Sequence, residues 1–389
     1  MVENRNIEPK LLEMAEKFPV IAITGPRQSG KTTLAKKLFA DHAYTTLENP
    51  ETREFAISDP KGFLAQFTEG VIIHEVQHVP ELFSYIQGIV DETGDTGKFI
   101  LTGSQNFLLM EKVSQSLAGR IYVYHLLPFS LSEIGENKIS NDLNRLMFTG
   151  GYPRIYHRQI SPTDFFPSYV QTYVERDVRS LVNVSDLQLF SSFLKLCAAR
   201  VGQLFNASAL GNELGISYKT VQRWLSILET SFILFRLQPW HRNFNKRTVR
   251  APKLYFYDTG LLCHILGITV ADQLPGHFAY GHLFENFVIS ELQKQHWNAG
   301  KPFPAFFWRD SSGNEIDLLI EKGTALDLFE IKSAQTVRER MFIPMKRFQK
   351  LAEPLACNIH LIYGGEENVK RSGVAVTGWR SVQASALGG

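Results

Sequence analysis

The sequence predicts an α/β protein that is made of several domains. Short apolar runs that favour β-strands alternate with stretches of helical spacing near the N-terminus and again in the last third. At 389 residues, of which 44% are hydrophobic, the chain is too long for one ordinary hydrophobic core and too apolar to be disordered. We therefore expect a parallel sheet first, mainly helical modules in the middle and a second α/β unit at the end.

The first 135 residues are expected to form the parallel-sheet domain. Residues 20–24 are a β-rich run, and a stretch of helical spacing follows them. Two further apolar strands, at 70–73 and 98–102, are separated by a helical stretch at 80–90. This alternation is typical of a parallel sheet that is covered on both faces.

Three further modules are expected after this domain. The pattern of residues 136–200 is mostly helical and predicts a lid. Residues 201–260 hold two short helical patterns and then a β-rich, aromatic run, which together resemble a winged helix-turn-helix. Residues 270–389 begin with a long amphipathic helix and continue with four strands, which predicts a separate C-terminal α/β domain.

The composition excludes several classes of protein. Lys and Arg number 41 against 39 Asp and Glu, so the net charge of +2 favours neither nucleic acid nor an anionic membrane, and any basic surface must be local. The three cysteines match no zinc spacing and suit a reducing compartment better than a disulfide framework. The first 17 residues lack an apolar core, and no later run approaches the length that a bilayer requires. We expect a cytoplasmic protein without membrane segments.

Residues 25–32 match the phosphate-binding loop pattern G-x-x-x-x-G-K-[ST] between a predicted strand and a predicted helix. Glycines allow backbone N–H groups to converge on phosphate oxygens, Lys31 adds a positive charge, and Thr32 offers its hydroxyl to Mg²⁺. The sequence therefore predicts a site for ATP and Mg²⁺. The expected nucleotide-binding residues are Gly25, Pro26, Arg27, Gln28, Ser29, Gly30, Lys31, Thr32 and Thr33.

Hydrolysis also needs an acidic residue at the end of a neighbouring strand. Glu75 stands there, where it could polarise the attacking water and contribute to the metal site, but His74 holds the position at which P-loop ATPases usually carry Asp. Since a neutral imidazole is a poor Mg²⁺ ligand, we expect nucleotide binding to survive better than turnover. His74 could also be only a surface histidine after a core strand.

Two more side chains could act on the γ-phosphate. Ser104 follows the strand at 98–102 and could sense the phosphate. Arg120 precedes an apolar strand and could act as an arginine finger on the nucleotide of the same or a neighbouring subunit. A plain surface arginine fits the spacing of Arg120 nearly as well.

These motifs resemble the AAA-type P-loop ATPases of bacteria and archaea that carry a C-terminal domain of unknown function. The resemblance covers most of the chain. It rests on residues 25–32, 75–77, 79–82, 102–105, 118–120, 127–130, 150–153 and 175–177. It implies that Lys31 and Thr32 bind nucleotide phosphate and Mg²⁺. It further implies that Glu75 is the catalytic acidic residue, Ser104 the sensor and Arg120 the finger.

The predicted helix-turn-helix carries polar side chains that suit DNA. Lys219, Gln222 and Arg223 would lie on the exposed face of its second helix, and Ser217 would cap that helix. Residues 236–253 add six Lys and Arg without any Asp or Glu. This basic segment favours DNA contact, because phosphate contacts dominate affinity. The alternative is that the module only packs or contacts protein.

The C-terminal strands carry acids that could hold a divalent ion. If the strands around Asp317 and Glu330 form a hairpin, the two carboxylates can converge, with Lys332 beside them and Glu285 on the upstream helix completing the set. This order of residues looks like the PD-(D/E)XK core of restriction-endonuclease-like folds. The alternative is that these charges are solvated on the outer face of a sheet.

The leading hypothesis is an ATP-binding AAA-type ATPase that is associated with DNA and couples its nucleotide state to the winged-helix and nuclease-like domains. A homo-oligomer would allow Arg120 to reach a neighbour. One alternative is a metal-dependent DNA nuclease that ATP switches. The other is a nucleotide-responsive scaffold that contacts protein and has neither nuclease nor efficient ATPase activity.

Overall fold

The structure is a computed structural model, and it describes residues 4–104, 117–135, 140–174, 187–241 and 249–383. The chain forms two compact units. The first comprises the chain up to Phe129 with the short segments Thr230–Phe232 and Trp297–Lys301, and the second comprises the rest.

The first unit contains a five-stranded parallel sheet, which confirms the sheet that the sequence predicts. Its strand order is β2-β3-β4-β1-β5, and each neighbouring pair is parallel. The strands are β1 (Val20–Thr24), β2 (Ala43–Thr46), β3 (Val71–His74), β4 (Phe99–Gly103) and β5 (Ile121–His125).

Helices cover both faces of this sheet. They are α1 (Glu8–Ala15), α2 (Lys31–Leu38), α3 (Pro50–Ser58), α4 (Pro60–Ala65) and α5 (Leu82–Thr93). Alternate residues of β1 belong to different cores: Val20 and Ala22 pack in one, and Ile21 and Ile23 in the other. Because side chains of a strand point alternately to its two faces, a strand that is apolar throughout requires this double cover.

The second unit begins with helices. Those of the described residues are α6 (Leu131–Ile134), α7 (Leu143–Thr149), α8 (Pro153–Arg158), α9 (Pro162–Tyr169), α10 (Leu187–Ala199), α11 (Ala207–Leu214), α12 (Tyr218–Thr230), α13 (Thr259–Ile265), α14 (Tyr280–Asn298) and α15 (Ile343–Leu351). The predicted lid, residues 136–200, thus contains α7 to α10. Residues 175–177, which belong to the resemblance to AAA-type ATPases, lie outside the described residues.

An eight-stranded mixed sheet forms the core of the second unit. Its order is β12-β13-β11-β10-β9-β8-β6-β7. The strands are β6 (Leu234–Pro239), β7 (Lys253–Phe256), β8 (Ala305–Arg309), β9 (Glu315–Lys322), β10 (Ala325–Lys332), β11 (Ala356–Tyr363), β12 (Val369–Arg371) and β13 (Val374–Gly378). The predicted wing strands β6 and β7 therefore continue the C-terminal sheet, since β6 pairs with β8.

Helix α14 differs from the amphipathic helix that its apolar spacing predicts. The whole stretch 283–296 is buried, including its polar residues. Several of the polar side chains have buried partners: Asn286 accepts from the backbone of Phe256 over 2.6 Å, and Glu291 pairs with Lys294 at 2.7 Å. A buried polar group that has partners costs little, so the polar face does not need solvent.

The segment Gly150-Gly151-Tyr152-Pro153, which is part of the resemblance, is held by a buried aspartate. Asp258 accepts hydrogen bonds from the backbone N–H of Gly151, over 2.7 Å, and of Leu261, over 2.9 Å. Gly150 has a φ of +68°, and a Cβ there would lie 2.4 Å from an oxygen of Asp258. These contacts give the motif a structural role between α7 and α13.

The described helices offer no membrane span, because none of them is both long enough and apolar enough. All three cysteines are free thiols: Cys197 and Cys263 are buried, and Cys357 is half-buried.

Candidate nucleotide-binding site and carboxylate cluster

The phosphate loop joins β1 to α2 through backbone conformations that favour glycine. Gly25 has a φ of +145°, and a Cβ there would lie 2.2 Å from the carbonyl oxygen of Leu126. Gly30, at φ +96°, stands just before α2. Larger residues at either position would be strained, which accounts for both glycines of the pattern.

Lys31 lies inside the loop. Its side chain is buried, and Nζ donates to the carbonyl oxygens of Gly25, over 2.9 Å, and Pro26, over 2.7 Å. Ser29 Oγ and Gln28 Oε1 are buried and have no hydrogen-bond partner among the described residues. A buried ammonium group beside a buried hydroxyl that has no partner among the described residues is suited to an anionic ligand. Of the remaining predicted residues, Arg27 is half-buried, and Thr33 is exposed on the first turn of α2.

Arg5 supports the loop, although no sequence motif indicates it. Its guanidinium is buried and donates to the carbonyl oxygens of Ser29, over 2.9 Å, and Leu127, over 2.7 Å. The same group lies 4.9 Å from the ring centre of Phe129. Arg5 therefore ties the loop to the segment that follows β5.

His74 lies at the C-terminal end of β3 and faces Thr32, so it is more than a surface histidine. Its Nδ1 is 3.3 Å from Thr32 Oγ1 and 2.8 Å from Thr102 Oγ1, and Nε2 is 3.9 Å from a Glu75 oxygen. Burial lowers the pKa of His74 against the opposing charge of Glu75. The ring is therefore neutral near pH 7.

Glu75 and Ser104 lie together at the ends of the neighbouring strands β3 and β4. Glu75 is buried, and one of its oxygens accepts from Ser104 Oγ over 3.2 Å and from the amide of Gln77. Two donors on one oxygen fix the orientation of the carboxylate. The spacing of Gln77 in the sequence does not predict this contact with Glu75. Gln105, which belongs to the resemblance, lies outside the described residues.

Arg120 does not lie at the phosphate loop of its own chain. β5 runs parallel to β1 with Ile121 opposite Val20, so Arg120 is at the edge where the strands begin, whereas the loop is at the edge where they end. Five residues of strand separate these edges by about 15 Å. The guanidinium is partly exposed and pairs with Asp91 of α5 at 3.0 Å. A role as a finger within the same subunit therefore does not fit this topology.

The predicted C-terminal carboxylates come together in the second unit. β9 and β10 form the antiparallel hairpin that their convergence requires. Lys332 Nζ lies 3.2 Å from Asp317 and 2.7 Å from Glu330, and the backbone N–H of Ile331 donates to Asp317 over 2.8 Å. Burial raises the pKa of Glu330 to about 8, with Asp317 adding to the rise. Both carboxylates are buried rather than solvated on an outer face, and one oxygen of Glu330 has no partner among the described residues.

Glu285 of α14 joins this cluster through residues that the sequence does not indicate. Lys253 of β7 lies 3.2 Å from Glu285 and also pairs with Glu315, and the hydroxyl of Tyr255 donates to Glu285. Burial alone would raise the pKa of Glu285, but Lys253 and His282 lower it to about 2. The carboxylates thus meet two lysine ammonium groups. In the described ranges no three Asp, Glu, His or Cys side chains are placed to hold a metal ion by themselves.

The face of α12 carries the predicted DNA-contact residues. Lys219 and Arg223 are exposed and Gln222 is half-buried, while Ser217 caps the helix by accepting from the backbone of Thr220 over 3.1 Å. In the basic segment 236–253, Arg236 pairs with Glu229 at 2.7 Å and Lys253 pairs with Glu285. Residues 242–248 lie outside the described residues, and Arg250 is exposed. Of the three basic residues of this segment that the structure describes, Arg236 and Lys253 lie in internal ion pairs.

Comparison with known proteins divides the chain into three segments. A family model described as an AAA domain matches residues 17–135. Two models of domains of unknown function match residues 140–272 and 280–382. The first segment contains the parallel sheet and the phosphate loop.

Known structures resemble parts of the chain. The Walker-type ATPase of Pyrococcus abyssi is 14% identical with a TM-score of 0.46, over 67% of this chain and 94% of that one. DnaA from Aquifex aeolicus, bound to AMPPCP, is 14% identical with a TM-score of 0.30, over 59% of this chain and 89% of that one.

Sequence relatives cover nearly the whole chain. Uncharacterised proteins of Mycobacterium bovis and Mycobacterium tuberculosis are each 30% identical over 383 residues, which are 97% of this chain and 83% of the relative. An uncharacterised protein of Haemophilus influenzae is 23% identical over 76% of this chain and 79% of its own length. The chain therefore belongs to the family of these mycobacterial proteins, and it carries an AAA-type P-loop ATPase domain at residues 17–135.

Proposed function

We propose that this protein binds ATP with a divalent metal ion at residues 25–33 and hydrolyses it slowly. The observation that carries the proposal is the position of Lys31, whose buried ammonium group donates to the carbonyls of its own loop. A lysine in this position can exchange these carbonyls for phosphate oxygens at small cost, because both are strong acceptors.

The residues present fit a metal–nucleotide complex. Ser29 and Gln28 bring buried polar atoms that lack partners among the described residues, and Thr32 Oγ1 faces the polar ends of β3 and β4. Thr32 would hold the metal. A bound divalent ion supplies positive charge that neutralises the phosphate oxygens during transfer.

Turnover depends on Glu75 and is limited by His74. Glu75, oriented by Ser104 and Gln77, would polarise the attacking water. His74 provides no carboxylate for the Mg²⁺ shell, so we expect slow hydrolysis with Mg²⁺. Arg120, at the far edge of the sheet, would reach only the nucleotide of a neighbouring subunit, which makes a homo-oligomer part of the proposal.

Titration of the purified protein with ATP and Mg²⁺ tests nucleotide binding. We expect Lys31→Ala to weaken ATP binding at least about tenfold, because it removes a buried charge-assisted contact with phosphate. Lys17→Ala is the control. It removes the exposed lysine of a surface ion pair, and this variant should bind ATP normally. Equal affinity of Lys31→Ala and wild type would refute the proposal.

Phosphate release tests the assignment of His74. His74→Asp restores a carboxylate beside Thr32 and should raise the rate with Mg²⁺ at saturating ATP. His78→Asp adds the same charge at an exposed position four residues later and should leave the rate unchanged. If the wild type releases phosphate rapidly and His74→Asp slows the release, the missing carboxylate does not limit turnover.

We infer that the second unit acts on DNA, as a second candidate function. The convergence of Asp317, Glu330 and Lys332 favours a PD-(D/E)XK nuclease-like site. The exposed side chains of α12 would contact DNA in a winged helix-turn-helix, and residues 136–200, 201–260 and 270–389 would serve as lid, DNA-binding and nuclease-like modules. Cleavage would require a metal ion to displace the Lys332 ammonium group from the carboxylates.

Plasmid nicking with Mg²⁺ or Mn²⁺ tests this candidate. Asp317→Asn should abolish nicking, whereas Asp327→Asn should retain it. Asp327 is also buried and ion-paired, at 2.8 Å from Lys322, but the ion pairs of Lys332 are with Asp317 and Glu330. Nicking that persists in Asp317→Asn would contradict the assignment. Absence of both nicking and DNA binding at low salt would favour the nucleotide-responsive scaffold.

A further inference from the structure

The position of His74 bears on which metal ion accompanies the nucleotide. Thr32, the residue that would hold the metal, has its hydroxyl 3.3 Å from Nδ1 of His74. Neighbouring ligands of an octahedral ion with bonds of about 2.1 Å lie about 3 Å apart. The two atoms are thus spaced as adjacent ligands of one ion.

The surroundings of the ring leave Nδ1 as the metal-binding nitrogen. Nε2 faces the Glu75 carboxylate at 3.9 Å, and a nearby negative charge favours a proton on that nitrogen. The hydroxyl of Thr102 lies 2.8 Å from Nδ1, and its proton would turn away when an ion occupies the single lone pair of that nitrogen. The ring of Tyr44 lies beside the His74 ring, with centroids 6.4 Å apart and an angle of 30° between the ring planes.

The chemistry of the ligand pair differs from that of an ordinary Mg²⁺ site. Mg²⁺ prefers oxygen ligands, whereas imidazole nitrogen suits first-row transition-metal ions. We propose that His74 ligates the nucleotide-bound ion through Nδ1 and makes the site favour Mn²⁺ or Co²⁺ over Mg²⁺. The inference rests on the proposed function, since the ion arrives with the nucleotide.

Pulsed electron paramagnetic resonance of Mn²⁺ bound with a non-hydrolysable ATP analogue tests the ligand directly. We expect a ¹⁴N coupling in the wild type that becomes a ¹⁵N coupling when only histidine is labelled with ¹⁵N. The coupling should be absent in His74→Asp and retained in His78→Asp. The isotope experiment needs no variant, so it does not depend on whether His74→Asp folds.

Affinity provides a second readout. The ratio of the dissociation constants with Mg²⁺ and with Mn²⁺ should fall roughly tenfold in His74→Asp, because a carboxylate restores an oxygen ligand. Nucleotide that binds with Mn²⁺ but shows no histidine coupling, or an unchanged ratio, would overturn the inference and leave the proposed ATP site intact. Failure to bind nucleotide with either ion would instead refute the ATP site itself.

Discussion

The guanidinium of Arg5 donates to the carbonyl oxygen of Ser29 over 2.9 Å and thereby joins the start of the chain to the phosphate loop. The arginine is buried, and its second hydrogen bond reaches Leu127. The loop conformation therefore depends on a residue that precedes β1 by 15 positions in the sequence.

Arg5→Met should destabilise the protein and weaken nucleotide binding. The variant keeps much of the buried apolar stem but leaves two carbonyl oxygens without their charged donor, at a cost of about 2 kcal/mol in the free energy of unfolding. Urea unfolding and ATP titration measure the two effects. Lys17→Met removes an exposed ion pair and should change the free energy of unfolding by less than about 0.5 kcal/mol. Equal stability of the two variants would contradict the role of Arg5.

Gly150→Ala should destabilise the second unit through its contact with Asp258. The new Cβ would lie 2.4 Å from an Asp258 oxygen, in addition to the strain of a φ of +68°. Gly135 is the matched control, since it also follows a helix with a positive φ, of +82°, and extended ψ, but has no atom within 4 Å of the added Cβ. We expect Gly150→Ala to lower the free energy of unfolding by about 2 kcal/mol more than Gly135→Ala. A similar loss in both variants would show that Asp258 does not enforce the glycine.

The parts of the molecule that the sequence predicts are those encoded within a few residues. The apolar run of β1 and the spacing of the phosphate loop are local, and both appear in the structure. The contacts of Arg5 and Asp258 reach 122 and 107 residues along the chain, so no local pattern indicates them. Helix α14 is also beyond local prediction, because polar side chains such as Asn286 and Glu291 find buried partners that sequence spacing does not reveal.

Charge reversal on α12 should weaken DNA binding in a salt-dependent way. Lys219 and Arg223 are exposed and four residues apart, and each neutralised phosphate contributes about 0.9 to the slope of log K against log salt. Lys219→Glu with Arg223→Glu should therefore reduce the slope by about 2. Arg154→Glu with Arg158→Glu is the control, because these arginines are also exposed and four apart, on α8. Equal slopes in the two double variants would place the DNA surface elsewhere.

Glu330→Gln should become more stable relative to wild type as the pH rises. The pKa of Glu330 is raised by burial from 4.5 to about 8 in the folded protein, so the fold favours its protonated form. Its favourable contribution is complete below pH 4.5 and is lost as the pH rises towards 8. Glutamine stays neutral, so the difference in the free energy of unfolding should grow across this window in urea titrations at several pH values.

Asp327→Asn is the control of opposite sign. Burial alone would raise the pKa of Asp327, but the neighbouring His360 and Lys322 side chains hold it below its ordinary value. The contribution of Asp327 is therefore lost only in acid, and its difference from wild type should be constant from about pH 5 to pH 9. A constant difference for Glu330→Gln as well would show that Glu330 is already ionised in the folded protein at low pH.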